Sequence, residues 1–162
     1  MPVFRTASEE ETIALGERLA RTLPAGTTVL LIGNLGAGKT TLAKGIVQGL
    51  GAAPADDVSS PTFTLIHEYG APPAVYHVDL YRLDSARDAA TLGLDDLFDS
   101  PALVIIEWGE RFPELMPPDH LEIRLRALAG DEREIEVLVG RSPWTARDAP
   151  VPLPEPEPGA PI

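Results

Sequence analysis

The segment Gly33-Asn34-Leu35-Gly36-Ala37-Gly38-Lys39-Thr40 constrains this chain more than any other stretch. It satisfies the pattern G-x-x-x-x-G-K-[ST] in full, and each residue type there has a physical reason. The glycines let the backbone turn sharply, so that several N–H groups point into one concavity. In that loop Gly33, Leu35, Gly36, Ala37 and Gly38 are the expected phosphate-cradling positions. A helix that opens at the end of the turn adds the positive end of its dipole. Lys39 can reach the β- and γ-phosphates of a nucleotide, and the Thr40 hydroxyl can ligand Mg²⁺. The context agrees: Thr27 to Ile32 reads as a buried strand between two glycines, and Lys39 to Leu50 as a helix stopped by Gly51.

The rest of the chain alternates in the same way. Ser8-Glu9-Glu10-Glu11 has capping-box spacing, and Leu15, Leu19 and Leu23 recur at helical spacing, which predicts a helix from about Glu9 to Thr22. Thr62 to Tyr69 and Ala74 to Leu80 read as strands joined by Gly70-Ala71-Pro72-Pro73. Asp84 to Leu92 and Leu94 to Phe98 read as short helices around Gly93, and Ala102 to Glu107 as an apolar strand ending in an acid. Leu121, Ile123 and Leu125 alternate with polar residues, as do Ile135, Val137 and Val139; Ala129-Gly130-Asp131 between them predicts a hairpin. Residues 143–162 hold seven of the 17 prolines. The expected organisation is therefore one domain over 1–141 and an extended, Pro-rich tail over 142–162.

A phosphate loop of this kind works with Mg²⁺, which prefers one or two carboxylates beside phosphates and water. The usual source is an acid ending an apolar strand near the loop. Leu103-Val104-Ile105-Ile106-Glu107 is the better match, with Glu where Asp is commoner. Val75-Tyr76-His77-Val78-Asp79 is the second. Strand ends in parallel α/β sheets line the ligand crevice, so both acids could face the phosphates. Thr62, in Ser59-Ser60-Pro61-Thr62-Phe63, stands where a switch segment would hold a hydroxyl over the γ-phosphate; a plain Ser-Pro turn opening a strand explains it equally well. Trp108 follows Glu107, beside the site or simply in the core. His67, His77 and His120 show no metal-ligand spacing and read as structural or surface groups.

Absences narrow the function. Asn34 is the only asparagine, so the N-K-x-D element that reads guanine is impossible and ATP is favoured over GTP. With no cysteine, disulfides and Cys-based metal sites are excluded. The formal charge of −12 argues against a surface that is broadly a nucleic-acid footprint. The longest purely apolar run, Ala102 to Ile106, is far short of a membrane span, and residues 1–5 carry no signal-type apolar stretch. A cytoplasmic protein without membrane contact is expected. A small-molecule kinase remains a second reading and a nucleotide-sensing module a third. No tight Arg cluster suggests a kinase lid: Arg124, Arg126 and Arg133 lie on or beside the hairpin and look like a solvated face.

Four motifs occur in order: the loop through Thr41, Ser60-Pro61-Thr62-Phe63-Thr64-Leu65, His77-Val78-Asp79-Leu80-Tyr81-Arg82, and Ile106-Glu107-Trp108. Together, over roughly residues 5 to 140, they closely resemble the TsaE (YjeE) family, P-loop ATPases of bacterial tRNA threonylcarbamoyladenosine synthesis. The family often has an acid where Asn34 stands and Pro where Gly109 stands. The resemblance implies an α/β, three-layer P-loop domain with a mixed, mostly parallel sheet and a C-terminal antiparallel hairpin. It implies that Lys39, Thr40 and Thr41 bind the phosphates of ATP, that Thr40 and Glu107 hold Mg²⁺, and that Thr62 belongs to a switch-like loop. Asp79 would position or polarise the attacking water, making Asp79 and Lys39 the expected catalytic pair. In the family the N-terminal segment and the last hairpin flank the base, which implies Thr6 and Arg133 here; Trp108 joins them as a nucleotide-binding candidate from its place after Glu107. The implied partners are TsaB and TsaD, with TsaD transferring the threonylcarbamoyl group to adenosine 37 of tRNAs reading ANN codons. This chain would hydrolyse ATP to keep that complex turning over and would meet tRNA only through the complex.

Overall fold

The computed structural model describes residues 3–70 and 72–139. The predicted Pro-rich tail, 142–162, lies outside the described residues. Among those described, seven strands form one sheet in the order β1-β7-β6-β2-β5-β4-β3. The strands are β1 (Val3–Thr6), β2 (Thr28–Ile32), β3 (Ile66–Tyr69), β4 (Val75–Asp79), β5 (Leu103–Glu107), β6 (Leu121–Ala127) and β7 (Arg133–Val139). The middle is parallel, with β2 paired to both β5 and β6 and β4 paired to β5. Both edges are antiparallel: β3 on β4, and β7 between β6 and β1. The predicted hairpin is β6–β7, turned at Ala129 to Asp131 with Gly130 at φ +58°.

Both faces of the sheet are covered, which makes three layers. On one face α1 (Glu9–Ala20) and α2 (Lys39–Gly49) pack over Val29, Leu31, Leu103, Ile105, Ile123 and Ile135. On the other, α3 (Ala86–Ala90), α4 (Leu94–Phe98) and the turns around Phe112 cover Leu30, Val104, Ile106 and Val78. The strand period of two divides each strand between the faces, and central parallel strands therefore read as continuous apolar runs. α1 and α2 touch backbone to backbone. A Cβ on Gly45 would stand 2.1 Å from the Ile13 carbonyl oxygen, so only glycine permits this approach.

Local chemistry sets most boundaries. Ser8 caps α1 by accepting from the Glu11 N–H at 3.1 Å, while the Glu11 carboxylate accepts from the Ala7 N–H, one residue before the cap. α1 ends at Ala20, two residues short of expectation. The largest departure is the expected strand from Thr62. Residues 62–65 form a turn, and β3 begins only at Ile66. The Leu65 N–H donates to the Pro61 carbonyl at 2.7 Å, and the Ser60 and Thr62 hydroxyls are drawn to Asp79. The β-propensity of Thr-Phe-Thr-Leu loses to that turn and to the pull of a carboxylate from further along the chain. The helix expected over Asp84–Leu92 is likewise trimmed to α3 by the Ser85 cap.

Candidate functional site

β2, β4 and β5 run in the same direction, so their carboxyl ends meet at one edge of the domain. β2 passes directly into residues 33–38, and these into α2. Gly38, at φ +102°, is the N-cap of α2, and no side chain caps that end. The first-turn N–H groups are thus not taken up by a capping side chain, which leaves an anion-binding end. A Cβ on Gly33 would stand 2.7 Å from the Leu125 carbonyl oxygen, so the loop can lie against β6 only with glycine there.

Lys39 is the electrostatic centre of the site. It is 5% exposed, and its Nζ is buried with no hydrogen-bond partner among the described residues. The ammonium rests 3.5 Å from the centroid of the Trp108 ring, a cation–π contact of about 2 kcal/mol when desolvated. Burial pushes the Lys39 pKa below its usual 10.5, while Glu107, Glu110 and Asp79 pull it back up. An unpaired buried cation aimed into a cleft fits an oxyanion that would complete it.

Two acids sit beside it, both on the α2 face and both buried. Asp79 and Glu107 are direct partners in the β4–β5 register. Thr40 Oγ1 lies 3.5 Å from Glu107 Oε2, so the hydroxyl and carboxylate expected to hold Mg²⁺ face each other. The other side of Glu107 Oε2 is 2.6 Å from His77 Nε2. Asp79 is committed elsewhere. Its Oδ2 accepts from Ser60 Oγ at 2.8 Å and Thr62 Oγ1 at 3.2 Å, and its Oδ1 from the Tyr81 N–H at 2.8 Å.

The cleft so formed has a volume of about 490 Å³. Leu35, Gly36, Gly38, Lys39, Thr40, Thr41, Thr62, Asp79, Glu107, Trp108 and Arg133 all line it. Arg133, read from sequence partly as solvated surface, donates to the Gly36 carbonyl at 3.2 Å and so ties β7 to the loop. Three expected positions are not among the lining residues. Gly33 and Ala37 serve the loop's packing, and Thr6 is buried with its hydroxyl 2.7 Å from that of Thr12. Glu9, Ser60 and Tyr81 line the cleft without having been singled out. Ser60 was findable, because it stands two residues before Thr62 and carries the same chemistry. Arg82 is not in the lining and lies 4.8 Å from the Phe63 ring centroid instead.

Two non-glycine residues among those described have positive φ: Trp108 at +66°, which lines this cleft, and Leu65 at +70°, whose carbonyl accepts from the N–H of the cleft residue Asp79 at 2.9 Å. Backbone strain of this kind clusters where surrounding contacts over-determine the chain, and functional sites are such places.

A strand, a glycine loop and a helix N-terminus in this arrangement, with acids at the neighbouring strand ends, define a P-loop NTPase-like domain. Residues 6–135 match the family described as "Threonylcarbamoyl adenosine biosynthesis protein TsaE". The chain belongs to the TsaE family. It is 40% identical over 134 residues to the tRNA threonylcarbamoyladenosine biosynthesis protein TsaE of Bacillus subtilis, covering 82% of each chain. It is 39% identical over 130 residues to the protein of the same name from Treponema pallidum, covering 80% of this chain and 95% of that one. The crystal structure of YdiB from Bacillus subtilis superposes with a TM-score of 0.67 at 34% identity, covering 85% of this chain and 84% of the other. No helix among the described residues is long and apolar enough to cross a membrane.

Proposed function

We propose that this chain is an Mg²⁺-dependent ATPase serving tRNA threonylcarbamoyladenosine formation in the cytoplasm, acting on a TsaB–TsaD complex. The activity is assigned to residues 1–141. The observation that carries this reading is the buried, unpartnered Lys39 ammonium, set beside a Thr40–Glu107 pair in an open cleft. Lys39 and the first-turn N–H groups of α2 would neutralise the β- and γ-phosphates. Thr40 and Glu107 would hold Mg²⁺, which supplies charge neutralisation and Lewis acidity at those phosphates. Phosphoryl transfer needs positioning and electrostatics more than covalent chemistry. The Asp79 carboxylate holds the 60–62 loop. Its Oδ1, which among the described residues accepts only from the Tyr81 N–H, would keep a lone pair with which to orient the attacking water.

Partner proteins would complete the site, because no arginine is aimed at the γ-phosphate position from within the lining apart from Arg133, which is spent on carbonyls of the loops it joins. The chain's formal charge of −12 suits contact with tRNA through that complex rather than directly. The test is a bacterium depleted of its own TsaE and supplied with this chain. Restored threonylcarbamoyladenosine in its tRNA, lost again with Lys39→Ala, supports the proposal. An unmodified tRNA pool despite soluble protein contradicts it.

A further inference from the structure

We propose that His77 is a positioning residue: its Nε2–H fixes the Glu107 carboxylate for Mg²⁺ and so sets how tightly the site holds the metal. This rests on the reading of the cleft as an Mg²⁺–nucleotide site.

His77 is fully buried, with Nε2 2.6 Å from Glu107 Oε2. An ionised carboxylate only accepts, so the proton of that contact is on Nε2. Nδ1 is also buried and has no partner among the described residues. The surroundings therefore ask for a proton at Nε2 and for none at Nδ1, and the tautomer follows from the partners. A histidine kept only for packing would leave that unpaired nitrogen as a net loss, which an apolar ring of similar size avoids. What the imidazole supplies here and such a ring cannot is the bond to Glu107.

The register explains why the acid is Glu rather than the commoner Asp. His77 pairs with Ile105, and Asp79 pairs with Glu107. Glu107 therefore reaches His77 diagonally, two residues back along β4 and on the same face. Diagonal neighbours are within reach only of longer side chains. The extra methylene of Glu gives that reach and also adds a rotatable bond; His77 removes the freedom so gained. The same Oε2 is the atom nearest Thr40 Oγ1, so an ordered series runs from the buried ring through the carboxylate to the helix N-terminus. Groups that orient a metal ligand in this way commonly change metal affinity by about 10- to 100-fold when removed.

The experiment uses the full chain with ADP and Mn²⁺, whose free fraction is read by electron paramagnetic resonance. ADP binding in EDTA is measured by calorimetry alongside. His77→Phe keeps the ring volume without the donor, His77→Asn shortens the reach, and His77→Gln returns an N–H near the Nε2 position. The expected result is that Phe and Asn weaken Mn²⁺ binding by about 10- to 100-fold, while Gln stays within about threefold of the parent. Metal-free ADP affinity stays within about twofold in all three. Should His77→Phe fail to melt cooperatively, Asn against Gln decides on the same terms. Parent-like Mn²⁺ binding in the folded loss variants, or a Gln variant as weak as they are, overturns the inference while leaving the site reading standing. If the parent itself holds no Mn²⁺ with ADP, the site reading fails and takes this inference with it.

Discussion

The two halves of the cleft are built differently. One half consists of the loop 33–38, the start of α2 and the end of β5. Its side chains rise from core elements: Lys39 and Glu107 are buried, and Leu42, Ile46 and Ile105 beneath them are fully so. The other half is the 59–65 segment with Tyr81. The Ser60 and Thr62 hydroxyls and the Tyr81 N–H donate to the Asp79 carboxylate, the Leu65 carbonyl accepts from the Asp79 N–H, and the Ser59 N–H donates to Tyr69 Oη at 3.4 Å. At its tip Phe63 is 81% exposed, and Leu65 sits in a left-handed conformation. The first half is held in place by the core beneath it. The second can move by exchanging a few hydrogen bonds, each worth about 1.5–3 kcal/mol because the acceptor is charged. Segments that respond to a ligand come from such weakly anchored parts of a fold.

The comparison breaks most visibly at Lys39. Lys39→Ala should lower ATP affinity by about 100-fold in a calorimetric titration, since it removes a charged donor. It should change the melting temperature little, because relief of a buried ammonium that has no hydrogen-bond partner among the described residues offsets the lost contact with the Trp108 ring. A variant that binds ATP normally would remove the fixed half's assigned role. Asp79→Ala comes next. It should cut steady-state hydrolysis by about 100-fold while ATP affinity changes by no more than about threefold. It should also speed amide exchange through residues 59–65 and leave α2 protected. Equal loosening of both halves would erase the distinction between them. Smaller still are the single hydroxyls: Ser60→Ala and Thr62→Ala should each lower hydrolysis by about tenfold or less. Ser60→Ala, which removes the 2.8 Å bond, should release the loop more than Thr62→Ala, which removes the 3.2 Å one.

The smallest effect lies outside the cleft lining, at Glu110, just beyond the end of β5. Loss of water around the Glu110 carboxyl raises its pKa above 4.5, although a bond from its own backbone N–H and the charge of Lys39 pull it down. The folded state then binds that proton more tightly than the unfolded state, so the ionised carboxylate opposes folding at neutral pH. Glu110→Gln should raise stability there by no more than about 0.5 kcal/mol in a denaturant titration. The gain should fade as pH falls through the raised pKa toward 4.5. A loss of stability at neutral pH would mean that the attraction to Lys39 outweighs the loss of water.

How far the sequence revealed each half follows the same division. The loop, the α2 start and Glu107 were legible because glycine spacing, an apolar run and a terminal acid are local patterns with one structural solution. The hairpin and the central strands were legible for the same reason. The 59–65 segment was not, because its shape depends on Asp79 from a strand further along the chain. A Thr-Phe-Thr-Leu run looks like a strand until that carboxylate is placed. His77 was read as structural because its partner lies 30 residues away on the neighbouring strand and only the β4–β5 register brings the two together. Thr6 shows the reverse: a plausible position from resemblance, its hydroxyl is spent on Thr12 beneath β1.

The most direct test of the central claim is Mg²⁺-dependent ATP hydrolysis by this chain, alone and with cognate TsaB and TsaD, against Glu107→Ala. The account predicts slow turnover alone, stimulation by the partners, and loss of both in the variant. ATP that binds but is never hydrolysed, with or without the partners, would contradict it.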